Sequence, residues 1–443
     1  MLNYQDNRIE NSQEVKSDKR ENLNLMLFLS GKTISLFGSA IYAFVIGLYL
    51  LRTTSSALSF ALNLVLYTLP VVLFNPIAGV IADKFNKKIL VVGSDLINGI
   101  FLSLIYFIIT NYSFNIYILY FSTFIMTTLT VFFDIALESA KPSLVRESGL
   151  VKINSQARVI ESLSHILGPL MGGIIYGFIN LKGFILINAI SFLISALIEY
   201  FIDYQYNQQL EEETGNEKNL DTFIFKLKEG FYYIFRSSNL KSLVYIFIAL
   251  NFFFNFTLIV PLPYLLNTIW KIDPNKYGII QAAFPVGMIF GALLTEKIMG
   301  KISYNILIKN LAFISAVGVT AFALPIIVFQ NVPTSNFILV YYSFLMFMSG
   351  ISVAWIDVPA NVIIQKIVPQ SILGRVLSVK MSIIKIVVPI ALLISSAVIK
   401  LVPVSYTFII GSVIFLGFNL IFFNSTVGQK FIQQNIDSEI SEL

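Results

Sequence analysis

Twelve long apolar blocks dominate this chain, at residues 25–51, 57–82, 88–110, 115–137, 157–180, 183–203, 241–266, 278–299, 304–329, 336–358, 376–400 and 404–423. Each is about 20 to 27 residues long, the length an α-helix needs to cross a hydrocarbon core of about 30 Å. Membrane-spanning strands would instead show segments of about ten residues with alternating polarity. A lipid solvent cannot hydrogen-bond the backbone, so a chain built this way folds into helices that satisfy their own amides and carbonyls. The expectation is an all-α polytopic membrane protein with twelve transmembrane helices.

Composition closes the soluble alternative. A length of 443 residues would make about three ordinary soluble domains. Yet 56% of the residues are hydrophobic and only 12% are charged, about half the charge that a soluble surface carries. The chain has no cysteine and one histidine, His165, which excludes disulfides, thiolate chemistry and a histidine zinc cluster. No metal or cofactor is expected, and the lack of clustered carboxylates at one membrane depth argues against an enzyme. The formal charge of +5 does not point to nucleic acid, because the basic residues are scattered through short loops rather than gathered in a patch.

Those loop charges set topology instead. Lys84, Lys87 and Lys88 follow the second block; Lys141, Arg146, Lys152 and Arg158 follow the fourth; Lys297, Lys301 and Lys309 follow the eighth; Lys366, Arg375 and Lys380 follow the tenth. The opposite loops hold only Arg52, Lys182, Lys271, Lys276 and Lys400. Basic loops stay inside, so both termini are expected in the cytoplasm and the protein in the cell membrane as a multi-pass monomer. Residues 1–24 read as a cytoplasmic tail ahead of a signal anchor, 25–203 as a six-helix bundle, 204–240 as a cytoplasmic linker, 241–424 as a second six-helix bundle and 425–443 as a C-terminal tail. The linker carries an acidic run, Glu211, Glu212 and Glu213, followed by Phe223, Leu227, Phe231 and Ile234 at helical spacing, an amphipathic interfacial helix.

The two bundles are related in sequence. Asp134-Ile135 pairs with Asp357-Val358, Leu144-Val145 with Ile367-Val368, Pro169 with Pro389 and Leu50-Leu51 with Leu265-Leu266, at displacements near half the chain length. Duplicated, pseudo-symmetric halves are the mark of a transporter that rocks one half against the other.

Two motifs sharpen this reading. After the second block runs Gly79-Val-Ile-Ala-Asp83-Lys84-Phe-Asn-Lys87-Lys88, and a degenerate echo with Gly291, Glu296, Lys297 and Lys301 follows the eighth. The glycine lets a helix end approach a neighbour, the aspartate suits a positive helix N-terminus, and the lysines suit acidic groups or lipid headgroups. The fifth block holds Ser164-His165-Ile-Leu-Gly168-Pro169-Leu-Met-Gly172-Gly173, small residues for close packing around a proline bend. The first motif resembles the cytoplasmic gating loop of the major facilitator superfamily, and the second resembles that family's antiporter motif, with Ser164 in place of its first glycine. With Lys141-Pro-Ser-Leu-Val145 and Asn361 to Val376, the chain is similar to the drug:proton antiporter branch that contains macrolide-efflux proteins and the enterobactin exporter. The resemblance covers residues 25–425. It implies a proton-coupled exporter of a bulky amphipathic compound, a drug or macrolide-like antibiotic; an exporter of an endogenous siderophore or lipid without proton coupling is the alternative. One departure is the missing arginine of the fourth span.

Charges inside apolar blocks mark the candidates for coupling, since a charge at mid-bilayer costs at least about 2.5 kcal/mol. Glu161, His165, Gly168 and Gly172 fall on one stripe of the fifth block, with His165 placed to relay protons to Glu161. Lys385 lies near the middle of the eleventh block, and Lys32 and Asp95 are placed to form an ion pair. Gly31-Lys32-Thr33 copies the end of a phosphate-binding loop, but Met26 stands where its first glycine belongs. The resemblance implies a central cavity lined by spans 1, 4, 7 and 10, which here present Tyr42, Tyr49, Thr127, Asn251, Phe252, Asn255, Met346, Ser349 and Trp355. The expected partners are a small-molecule substrate, protons and membrane lipid.

Overall fold

The structure, a computed structural model, describes residues 2–112, 115–207, 229–299, 304–329, 332–426 and 428–429. Glu211, Glu212, Glu213, Phe223, Leu227, Gly300, Lys301 and the tail beyond 429 lie outside the described residues, as do the side chains of residues 2–18, Asp83 and Glu296. Among the described residues the secondary structure is helical, with no strand.

Twelve helices are long and apolar enough to cross a membrane. They are α1 (Leu2–Thr54), α2 (Ala57–Lys84), α3 (Lys87–Asn111), α4 (Ile116–Leu144), α5 (Leu150–Phe178), α6 (Leu181–Tyr200), α7 (Leu240–Ile269), α8 (Pro274–Met299), α9 (Tyr304–Ala321), α10 (Ser335–Ile367), α11 (Gln370–Leu401) and α12 (Val404–Asn424). A short helical turn, Leu324–Val328, extends α9. Asn86, Asn115, Asn180 and Thr334 cap the helices they precede, each accepting a backbone N–H of the first turn. In α7, Pro261 and Pro263 supply no N–H, and the helix widens to π geometry on either side, at Asn255–Ile259 and Leu265–Ile269.

Several helices outrun the apolar blocks that announced them. α4 continues to Leu144, α10 to Ile367, and α11 already starts at Gln370. Lys141, Lys366 and Lys380 therefore sit in helices rather than in loops, and Lys141 and Lys380 are 5% and 4% exposed. Hydropathy falls at the first charge, but a helix carries on wherever that charge finds a partner.

The chain gathers into two compact units. The first comprises residues 1–43, 73–168 and 179–218; the second comprises 44–72, 169–178 and 219–443. The first packs Leu25, Phe28, Val91, Phe133, Leu137 and Leu144 into one core. The second has two principal cores: one around Leu243, Ile308, Ile363 and Val376, the other around Leu51, Phe60, Leu266, Tyr342 and Phe408. The duplicated leucines Leu50, Leu51, Leu265 and Leu266 are all fully buried. Large side chains such as Leu293, Val340 and Ile421 are exposed, as suits a lipid solvent.

Lipid offers no hydrophobic force between helices, so association depends on close backbone approach. α8 and α10 show this: a Cβ on Gly287 would lie 2.1 Å from the Phe347 carbonyl oxygen, and one on Gly350 2.1 Å from that of Phe284. Of the linker, residues 229–236 are helical; Ile234 is buried in the second unit's core, Phe231 is exposed, and Glu229 pairs with Arg375 at 2.5 Å.

Candidate functional site

A chain of charges runs through the first unit. Lys32 on α1 is 3% exposed, and its Nζ donates to Glu138 Oε1 of α4 and to Glu161 Oε1 of α5, both at 2.8 Å. Glu138 Oε2 accepts from Lys141 at 2.5 Å, and Glu161 Oε2 accepts from Arg158 at 3.0 Å. Lys141 also donates to Asn154 Oδ1. Signs alternate along Lys141, Glu138, Lys32, Glu161 and Arg158, so one ammonium ties three helices through charge-assisted bonds.

This arrangement corrects the expected Lys32–Asp95 pair: Lys32 goes to the carboxylates of α4 and α5. It also gives no support to a His165 relay, because His165 is exposed and the partners of Glu161 are Lys32 and Arg158. Glu138 escaped notice because it lies past the apolar part of its span. Its signal was the spacing of Asp134, Glu138 and Lys141 on one helical face.

Asp95 belongs to a second, separate cluster. It is 1% exposed on α3 and accepts from the Ser35 hydroxyl of α1. Ser35 and Ser195 hydroxyls lie 2.8 Å apart, and Ser195 Oγ also lies 3.1 Å from Glu199 Oε1 and 3.0 Å from the Gly31 carbonyl oxygen. Glu199, fully buried on α6, has no partner for Oε2 among the described residues. Two carboxylates are thus joined by two serines, with more acceptor contacts than two hydroxyl protons can serve. Sequence reading passed over Glu199, although a carboxylate inside an apolar block was the available signal.

The glycine-rich stretch of α5 is a packing surface. A Cβ on Gly168 would lie 2.7 Å from that of Ala40, and one on Gly172 2.6 Å from the Phe44 ring. Gly173 crosses Gly278 of α8 with no room for a side chain on either: their Cβ atoms would lie 2.5 Å and 2.6 Å from the carbonyl oxygens of Pro274 and Pro169. Ser164 is buried and spends its hydroxyl proton on the Ile160 carbonyl. Arg52, at the end of α1, donates to Asn267 Oδ1 at 3.2 Å and to the Ile272 carbonyl, and its guanidinium lies over the Tyr176 ring.

In the loop motif, Gly79 has open space where a Cβ would stand, so the expected tight approach there is absent. Lys84 is exposed, and Lys88 Nζ lies 4.2 Å above the Tyr200 ring rather than against an acid. Lys87 is half-buried.

The second unit holds a pocket of about 330 Å³ between α7, α8, α9, α10 and α12, with Ile314 and Met348 exposed at its rim. Six phenylalanines line it; Asn251, Thr257, Ser315, Ser349, Ser352 and Asp357 supply its polar groups. Of the sequence-derived cavity residues, only Asn251 and Ser349 line it. Tyr42 is a core residue of the first unit, 2.5 Å from Ser122 and stacked on Phe184. Thr127 and Met346 are buried, Phe252 stacks on Phe256, and Asn255 donates to the Asn251 carbonyl. Trp355 is spent on tying α10 to α8 through the Gly291 carbonyl, and Tyr49 is half-buried. Lys385 is half-buried on α11, a helix that contributes no lining residue to this cavity.

Comparison with known proteins accords with this architecture. Macrolide efflux protein A of Streptococcus pyogenes is 24% identical over 395 residues, which cover 87% of this chain and 92% of the relative. Among solved structures, the nucleoside transporter NupG (D323A mutant) superposes with a TM-score of 0.66 at 15% identity, covering 93% of this chain and 99% of that one. A bacterial homologue of the iron transporter ferroportin in an inward-facing state gives the same score, identity and coverage. The Major Facilitator Superfamily profile matches residues 28–379. Twelve apolar helices among the described residues and this match together make the chain a multi-pass membrane transporter that belongs to the major facilitator superfamily.

Proposed function

We propose that the protein is a proton-coupled exporter in the cell membrane, with both termini cytoplasmic, that moves a bulky amphipathic compound outward by alternating access. The observation that carries this reading is the grip of Glu138 and Glu161 on Lys32. A proton arriving on Glu161 releases one side of that grip, and the change is felt at once on α1, α4 and α5. α5 continues from Glu161 through Pro169 into the Gly173–Gly278 crossing with α8, so a change in its tilt is passed along one continuous helix.

The antiporter-type residues Ser164, Gly168, Pro169, Gly172 and Gly173 serve as that element's bearing surface. Asp95 is the second proton-carrying candidate, through its hydroxyl link to Glu199; Lys385 and His165 are weaker ones. The substrate class rests on the names of the macrolide-efflux relatives. Gly79, Asp83, Lys84, Lys87 and Lys88 are assigned the gating role that their motif has in the family. Bundles at 25–203 and 241–424 are the rocking halves. One proton crossing about 100 mV yields about 2.3 kcal/mol and a pH unit about 1.4 kcal/mol, enough for a few-hundredfold substrate gradient.

The test is Glu161→Gln in sealed proteoliposomes. Ligand binding should persist while efflux driven by a pH gradient stops; normal gradient-driven efflux in the variant would refute the assignment. Asp83→Asn should slow turnover without loss of binding, and an unchanged turnover would reduce that loop to a positively charged turn.

A further inference from the structure

The cavity of the second unit has a composition that selects one kind of ligand. Phe247, Phe253, Phe254, Phe284 and Phe415 give it aromatic walls, and Asp357 of α10 is its one charged lining residue. Most of the neighbouring donors are committed. Thr257 Oγ1 gives its proton to the Phe253 carbonyl, Ser349 to Leu345 and Ser352 to Met348, and Asn251 Nδ2 gives one of its two to Phe247. What these four offer a ligand is chiefly oxygen lone pairs, beside the second Nδ2 proton of Asn251 and the Ser315 hydroxyl. Aromatic faces are themselves regions of negative potential, so wall, polar groups and carboxylate all favour a cation that brings its own N–H donor.

The lysine nearest in character does not fill that role. Lys380 of α11 directs its Nζ to Asn361 Oδ1 at 2.8 Å and lies 4.2 Å from the Phe247 ring centroid, and no ion pair joins it to Asp357 among the described residues. Tyr304, the other titratable group close by, donates to the Ile356 carbonyl. The volume lies at the small end of pockets that bury drug-sized ligands, which sets the size of the guest at a compact ring system with a short side chain.

We infer that this intra-unit cavity is a binding site for compact amphipathic amines, with the apolar body among the phenylalanines and the protonated nitrogen on Asp357. The inference goes beyond the exporter reading by naming a second, compact ligand chemistry and a place, and it rests on that reading only for the view that such a ligand is cargo. Binding itself does not depend on transport.

Isothermal titration of the full-length protein in detergent, with imipramine as the amine and iminodibenzyl as the same ring system without the amine, reads the site directly. Asp357→Asn should weaken imipramine about ten- to a hundredfold, the range for a charge-assisted bond, and leave iminodibenzyl unchanged. Ser349→Phe, which fills the cavity and keeps the charge, should abolish binding of both. Equal imipramine affinity in the wild type and Asp357→Asn, or binding that survives Ser349→Phe, overturns the inference. Efflux assays on wild-type proteoliposomes separate the two readings. Asp357-dependent binding with no compound moved under any gradient leaves the site and removes the exporter, whereas gradient-driven efflux with charge-blind binding does the reverse.

Discussion

Two buried lysines, one in each unit, show how differently the two regions treat charge. Lys32 is 3% exposed and held by two carboxylates on two other helices; Lys380 is 4% exposed and held by an amide and an aromatic face. The first unit concentrates ionic interactions, with a five-residue charge chain and a hydroxyl-linked acid pair. The second concentrates rings, with a single carboxylate on an aromatic cavity. Buried ion pairs and an aromatic pocket impose opposite demands on the local dielectric, and each is found in a different unit.

The comparison breaks first at the lysines. Lys32→Met removes the cation that Glu138 and Glu161 share and leaves each with its second one, Lys141 and Arg158. Stranding a fully buried partner costs about 3–5 kcal/mol; with Glu138 half exposed and both carboxylates still paired, the loss should be about 2–3 kcal/mol. Lys380→Met removes a hydrogen bond and a ring contact but strands no touching carboxylate, so about 1–2 kcal/mol is expected. Thermal unfolding of the purified variants measures both; equal losses would erase the contrast between the units.

A smaller effect is expected for Glu161→Gln, since Lys32 keeps Glu138. Its unfolding midpoint should fall less than that of Lys32→Met even though its efflux stops, which separates a functional role from a structural one. The smallest effect tests the acid pair. Glu199→Gln adds N–H donors where the cluster has an excess of acceptors, so its stability should hold within about 0.5 kcal/mol, the range of unobtrusive substitutions. Glu199→Leu removes the acceptor for Ser195 and should lose about 1–2 kcal/mol. A reversed order of these two variants would show that the donor shortage is not what shapes this cluster.

Much of the fold was legible in the sequence because lipid makes length and hydropathy decisive: all twelve spans, their order and the repeated Leu50-Leu51 and Leu265-Leu266 pairs follow from it. The site was legible only in part. Glu161 and Asp95 stood out as carboxylates inside apolar blocks, but their partners did not, since pairing depends on which helices adjoin. Lys141 and Lys380 read as loop charges because hydropathy cannot distinguish a charge that ends a helix from one that finds a partner inside it. Tyr42 and Trp355 stood out by residue type, but the partners they meet, Phe184 and the Gly291 carbonyl, depend on which helix adjoins.

The central claim is that proton movement and substrate movement meet at Glu161. Proteoliposomes loaded with a pH-sensitive dye, held without an imposed gradient and then given a transported amphipathic amine, report that coupling directly. The account predicts substrate-dependent proton flux in the wild type and none in Glu161→Gln at matched binding. Equal flux in the two proteins, or substrate movement in the wild type with no proton flux, would contradict it.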